Sequence, residues 1–127
     1  MSDPGAFASL EGEDHVSLAT FRRSGEAVPT ALWFALHEGA IYARSQAAAG
    51  KMKRIRNRGD VQVAICDAAG VVGGPWMDGT ARILDDSDPL VATADALLDE
   101  KYGERRRALA RSRAPDVRLA WIEVRPA

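Results

Sequence analysis

Alternation of apolar and polar residues runs through most of this chain, and it predicts strands more often than helices. Over 15–21, Val16, Leu18 and Thr20 alternate with His15, Ser17 and Ala19, the period of two that marks a strand. The turn residues Arg23-Ser24-Gly25-Glu26 follow, with Gly25 free to take positive φ. A second strand is predicted over 27–36. Val28, Thr30, Leu32, Phe34 and Leu36 share one face, and Ala31, Trp33 and Ala35 the other. Apolar residues on both faces predict cover on both sides. Pro29 has no N–H for a ladder, which predicts a sheet edge, a bulge or a strand start there. His37-Glu38-Gly39 reads as a hairpin turn into a strand over 40–44. Further strands are predicted over 61–66, 76–84 and 117–124.

Helical signals are fewer. A short helix is predicted over 6–10 and another near 51–58, closed by Gly59 at the position after the helix end. Asp88-Pro89 reads as an N-cap followed by a first-turn proline. Leu90, Val91, Ala94, Leu97 and Leu98 then recur at helical spacing up to Gly103. The basic segment 105–113 begins as helix. A loop over 67–75 carries Gly70, Gly73 and Gly74. No repeat or linker divides the chain, so one domain over 1–127 is expected. The predicted fold is mainly β: a six-stranded antiparallel barrel, since closure removes exposed edges. A barrel this small has a packed interior, so a large ligand must sit outside it or between two copies.

Composition narrows the chemistry. The 127 residues suit one domain. A formal net charge of −1 provides no field drawing the chain to nucleic acid or to a membrane. The single cysteine, Cys66, excludes an internal disulfide and a cysteine-built zinc site, and fits a reducing cytoplasm. No signal peptide and no membrane-spanning apolar run is read from the sequence. His15 and His37 have no carboxylate or cysteine at metal-ligand spacing, so no metal is expected. Cys66, at the end of an apolar strand, reads as an inert buried thiol. Arg105-Arg106-Arg107 and Arg111-Ser112-Arg113 lack interleaved aromatics and read as a solvated helix end.

Three segments are candidates for chemistry. Arg44-Ser45-Gln46 followed by Gly50-Lys51-Met52-Lys53-Arg54 joins a strand end, a loop of small residues and a lysine-bearing helix start. Such a helix start is a phosphate site in kind, with free N–H groups, a favourable dipole and cations. The alternative is a helix whose Met52 and Ile55 face the core and whose cations are solvated. Pro29-Thr30-Ala31-Leu32-Trp33-Phe34 offers either an apolar floor for a flat ring or an ordinary core strand. In Gly73-Gly74-Pro75-Trp76-Met77-Asp78-Gly79, Gly79 reads as a strand bulge, and Trp76 either covers a ring or meets a second subunit.

Thr20-Phe21-Arg22-Arg23-Ser24-Gly25-Glu26, Pro29-Thr30, Leu32-Trp33-Phe34, Ile41-Tyr42-Ala43-Arg44-Ser45, Gly50-Lys51-Met52-Lys53-Arg54-Ile55-Arg56-Asn57, Val61-Gln62-Val63-Ala64-Ile65-Cys66-Asp67, Gly79-Thr80-Ala81-Arg82 and Lys101-Tyr102-Gly103 form an ordered set. This set resembles the F420-dependent branch of the pyridoxamine phosphate oxidase-like superfamily, the FMN-binding split barrels, over about residues 6–126. The resemblance implies a Greek-key split β-barrel, working as a homodimer with cofactor sites at the subunit interface. It implies an oxidoreductase that transfers a hydride between reduced coenzyme F420, a deazaflavin, and a small organic substrate. FMN is the alternative cofactor, and a non-catalytic cofactor-binding module the alternative role. Ser45, Gln46 and Lys51 would hold the cofactor phosphate, with Arg44 and Arg54 as supporting cations. Pro29, Thr30, Ala31 and Leu32 would border the ring, with Trp33 nearby. The cofactor carries the hydride chemistry, so no catalytic dyad is required. One departure stands out: Ala47-Ala48-Ala49 lacks the hydroxyl that many relatives place just before Gly-Lys or Ala-Lys, which implies either weaker phosphate binding or more reliance on backbone N–H groups.

Overall fold

The computed structural model describes residues 5–127. Seven strands form one antiparallel sheet: β1 (Val16–Phe21), β2 (Ala27–Leu32), β3 (Ala35–His37), β4 (Ala40–Gln46), β5 (Asp60–Ile65), β6 (Met77–Ile83) and β7 (Leu119–Pro126). Their order across the sheet is β2-β1-β5-β6-β7-β4-β3. Three helices, α1 (Gly50–Asn57), α2 (Pro89–Tyr102) and α3 (Glu104–Ser112), and a 3-10 turn at Ala8–Leu10 complete the fold. β2 and β3 are separated by two residues yet occupy opposite edges of the sheet. The sheet must therefore curl until its edges come together, and the expected mainly β split barrel is present.

The strand predicted over 27–36 breaks at Trp33-Phe34, which gives seven strands rather than six. β3 pairs with β4 through Ala35↔Tyr42, whereas β2 pairs with β1 through Val16↔Leu32. Continued backward, the β3 register would set Leu32 opposite Ser45. Instead β2 pairs only with β1, and no ladder joins 29–32 to 43–46. Backbone groups that leave a ladder inside a protein need other partners. Tyr102 supplies them: its hydroxyl accepts from the Phe34 N–H at 2.9 Å and donates to the Asp14 carbonyl at 2.8 Å. Lys101 donates to the Phe34 carbonyl at 2.9 Å. Trp33 stacks on Tyr102, with ring centroids 4.5 Å apart, and its indole N–H donates to His15 Nε2 at 3.1 Å.

The sheet is covered on both faces at β3, β4 and β7, but the cover predicted on both sides of 27–36 fails over 27–31, where Ala27 and Pro29 are exposed and Val28, Thr30 and Ala31 only partly buried. The inner face packs Leu18, Val63, Ile122 and Val124 against Phe7, Leu10 and the Met52 and Ile55 side chains of α1. The outer face at β3, β4 and β7 packs Tyr42 and Trp121 against Ala94, Leu98 and Tyr102 of α2. Asp88 caps α2 by accepting from the Leu90 N–H at 2.9 Å. Two glycine readings are corrected. α1 ends at Asn57 with an extended Arg58, and Gly59 is not left-handed. Gly59 instead lies against β6, where an added Cβ would sit 3.1 Å from the Ala81 carbonyl. Gly79 forms no bulge and stays in register with Val61 and Pro126. A Cβ there would lie 2.8 Å from Val124 and 3.3 Å from Phe7, so close packing requires the glycine.

Glu123 on β7 carries a buried charge. It accepts hydrogen bonds from Arg82 at 2.7 Å, Tyr42 at 2.8 Å and Arg125 at 3.0 Å. Burial alone would raise its pKa, but these donors prevail and hold the carboxyl at about 2.

Tyr102→Phe leaves the Phe34 N–H without its acceptor, so urea unfolding should show a loss of about 1–3 kcal/mol. Glu123 has a folded pKa below its unfolded value, so its contribution is present above about pH 4.5 and is lost as the pH falls towards 2. Glu123→Gln should therefore cost on the order of 3 kcal/mol at pH 7, and the gap to wild type should narrow progressively in denaturant titrations as the pH falls from about 4.5 towards 2.

Candidate functional site

Side chains alternate along β4. Ser45 shares the barrel-facing side with Ile41 and Ala43, while Arg44 and Gln46 point the other way. Ser45 meets α1, whose first turn carries Lys51. The Lys51 side chain is buried, and its Nζ donates to Ser45 Oγ at 2.8 Å. One turn later, Arg54 Nε donates to the Oγ1 of fully buried Thr20 at 2.7 Å. A Cβ on Gly50 would lie 2.8 Å from Arg54 Nη1, so the guanidinium folds back over the first turn of the helix. Among the described residues, neither Lys51 nor Arg54 has a carboxylate partner; both cations rest on hydroxyls. Burial, and then the nearby Arg54, hold the Lys51 ammonium below the usual lysine range. Ala49 precedes the helix and supplies no side-chain cap.

Each of these features raises positive potential at one place. The α1 N-terminus has uncapped N–H groups and the positive end of the helix dipole. Two partly desolvated cations stand beside it without a counter-charge. A phosphate fits this donor set: it accepts from the ammonium, the guanidinium, a serine hydroxyl and helix N–H groups alike. Arg54 also opens onto a groove of about 340 Å³ lined by Phe21, Arg22, Arg23, Arg54, Asn57 and Arg58. None of these residues is acidic. Arg22 pairs with Glu26 at 2.9 Å, and Arg58 with Asp60 at 2.8 Å while lying over the Phe21 ring. Arg23 has no partner among the described residues.

The second predicted stretch lies on β2, an edge strand of the sheet. β2 pairs only with β1, so its outer edge presents N–H and C=O groups without a strand partner. Leu32 turns into the core, whereas Pro29 is exposed and Ala31 half-buried. The 67–75 loop lies alongside, with a Cβ built on Gly70 falling 4.0 Å from Ala31 Cβ. That loop region exposes Val71 and Trp76.

The structure thus brings Ser45, Lys51 and Arg54 together, while Pro29, Thr30 and Ala31 lie on the edge strand β2. Arg44 is placed elsewhere, 3.9 Å from Asp95 and over the Trp121 ring. Gln46 is exposed on that same outer side. Trp33 is engaged by Tyr102 and His15 at the corner. Sequence reading did not single out Thr20 or Arg23 for the site. The only signal for Thr20 was a polar residue on the apolar face of β1. Cys66 is buried, and burial raises its thiol pKa. Among the described residues no side-chain cluster suits a metal ion, and no helix is long and apolar enough to cross a membrane. A separate hollow of about 390 Å³, lined by Leu10, Phe34, Leu97 and Lys101 among others, contains none of the predicted site residues.

Comparison with known proteins agrees with this architecture. The heme storage protein HutZ of Vibrio cholerae superposes with a TM-score of 0.71 at 15% identity, covering 98% of this chain and 89% of that one. A FAD-binding protein of Mesorhizobium loti gives a TM-score of 0.71 at 16% identity, over 100% and 91%. A putative pyridoxamine 5'-phosphate oxidase of Listeria innocua gives 0.64 at 15% identity, over 94% and 89%. These identities establish a shared fold. No curated protein matches the sequence. The family model of pyridoxamine 5'-phosphate oxidase matches residues 4–127. With the split barrel and the lysine-bearing helix start in place, this chain belongs to the pyridoxamine 5'-phosphate oxidase family.

Proposed function

We propose that this chain is an F420-dependent oxidoreductase that passes a hydride between the reduced deazaflavin and a small organic acceptor. The observation that carries the reading is the pair of cations without carboxylate partners, Lys51 and Arg54, continued by the arginine-lined groove. F420 has a phosphate and a carboxylate-rich tail, and this surface provides one cationic station for each. When bound, the cofactor supplies the hydride chemistry. The chain's own residues bind and orient. Ser45 and Lys51 hold the phosphate, with Arg54 as second cation. The free edge of β2 at Pro29–Leu32 offers backbone groups to the polar rim of the ring. Arg23, which has no carboxylate partner among the described residues, would attract the tail. The homodimer belongs to the same reading: a second copy covers the β2 edge and the exposed Val71 and Trp76, excluding water from the ring.

A flavin is the second reading, since a single phosphate needs only Ser45 and Lys51, and the Mesorhizobium relative of this fold binds FAD. A heme-binding role without turnover is the third, on the analogy of HutZ. Titration with F420, FMN and hemin at matched ionic strength separates them, followed by a hydride-transfer assay with the tightest binder. Preferred binding of F420 with transfer to an acceptor supports the proposal. Preferred binding of FMN or hemin, or no F420 binding at high micromolar concentration, removes it.

Lys51→Ala should weaken cofactor binding by about 1.5–3 kcal/mol, a factor of roughly 10 to 150, with little change in unfolding midpoint. Unchanged affinity would place the phosphate elsewhere. Because Lys51 titrates below an ordinary lysine, cofactor affinity should fall as the pH rises through that lowered pKa. Lys51→Arg should keep affinity to higher pH, which calorimetry across the alkaline range can resolve.

A further inference from the structure

The two apolar cores meet along a seam between the exit of the 3-10 turn, the start of β3 and the last turns of α2. A hollow of about 390 Å³ lies there, within the roughly 300–1,000 Å³ typical of small-ligand pockets. Leu10, Phe34 and Leu36 of one core and Leu97 of the other line it. Leu97, Glu100 and Lys101 are spaced i, i+3 and i+4, which puts all three on one face of α2. Glu11, just past the 3-10 turn, also lines the hollow.

The charged groups here have capacity to spare. The Lys101 ammonium is fixed at the wall, donating to the Phe34 carbonyl at 2.9 Å and lying 3.8 Å from the centre of the Phe34 ring. An ammonium has three N–H groups, so two remain for a ligand. Among the described residues no carboxylate forms an ion pair with it. Glu11 and Glu100 are exposed, and their side chains make no hydrogen bond or ion pair among the described residues. A plain carboxylic acid would meet the two glutamates as like charges, and a plain amine would meet Lys101 in the same way. A molecule with both charges and an apolar body suits the whole lining. We infer that this hollow binds a free α-amino acid with an apolar side chain. Its carboxylate would meet Lys101, its ammonium Glu11 and Glu100, and its side chain Leu10, Leu36 and Leu97. The hollow shares no residue with the Lys51 site and does not depend on the cofactor reading.

The test is ¹H–¹⁵N NMR of the full chain, following the backbone amides of Leu36, Leu97 and Glu100 during titration with leucine. Two analogues each lack one charge: isocaproate has no ammonium and isoamylamine no carboxylate. Sodium chloride is the ionic-strength reference. The expected result is a saturable shift with leucine, and binding at least about tenfold weaker with either analogue, since each forfeits a charge-assisted contact. Leu97→Trp, which fills the hollow from the helix face, should abolish binding while keeping a dispersed spectrum. The double variant Glu11→Gln/Glu100→Gln, at two exposed positions, should erase the advantage of leucine over isocaproate. Lys51→Ala should leave the titration unchanged. No saturable shift with leucine at high millimolar concentration, equal binding of either analogue, or an undiminished advantage of leucine in the double variant would overturn the site.

Discussion

The corner at Trp33-Phe34 governs the rest of the molecule. Here the chain leaves β2 at one edge of the sheet and enters β3 at the other. A corner like this frees backbone groups that burial would penalise. Tyr102 and Lys101, from the last turn of α2, answer the Phe34 N–H and carbonyl, and Trp33 stacks on the same tyrosine. One helix end thereby fixes where β2 departs from β4. That departure leaves β2 as a free edge of the sheet while Ser45 stays on β4, so the arrangement of the candidate residues follows from the corner.

The site's electrostatics rest on a similar asymmetry. Most arginines here are neutralised: Arg58 by Asp60, Arg82 and Arg125 by Glu123, Arg106 by Asp95. Lys51 and Arg54 are the exception within the barrel end, held by Ser45 and Thr20 hydroxyls that orient a cation without cancelling its charge. Desolvating a cation without pairing it costs stability. A fold that retains the arrangement beside an uncapped helix start is poised to recover that cost from an anionic ligand.

Much of this was legible in the sequence because it depends on local rules. Alternation marked β1 and β5, and Asp88-Pro89 marked the start of α2. Gly50-Lys51 marked a helix start with a cation in its first turn. What stayed hidden depends on distant residues. Trp33 and Phe34 continue the alternation of β2, and only Tyr102, far along the chain, makes them a corner. Gly79 reads as a bulge until Phe7 and Val124 are seen to occupy the space of its missing side chain. Arg44 and Ser45 are adjacent in sequence, but the period of a strand sends them to opposite faces. Arg23 and Arg54 share a groove because α1 packs over the end of β1, a contact with no local signal.

The central claim, that an anionic group of the cofactor docks on Lys51 where β4 gives way to α1, is tested most directly by a crystal structure of the protein with F420 bound. The account predicts the phosphate within hydrogen-bonding distance of Lys51 Nζ and Ser45 Oγ, with the ring against the free edge of β2. F420 bound with its phosphate elsewhere, and the Lys51–Ser45 contact undisturbed, would contradict it.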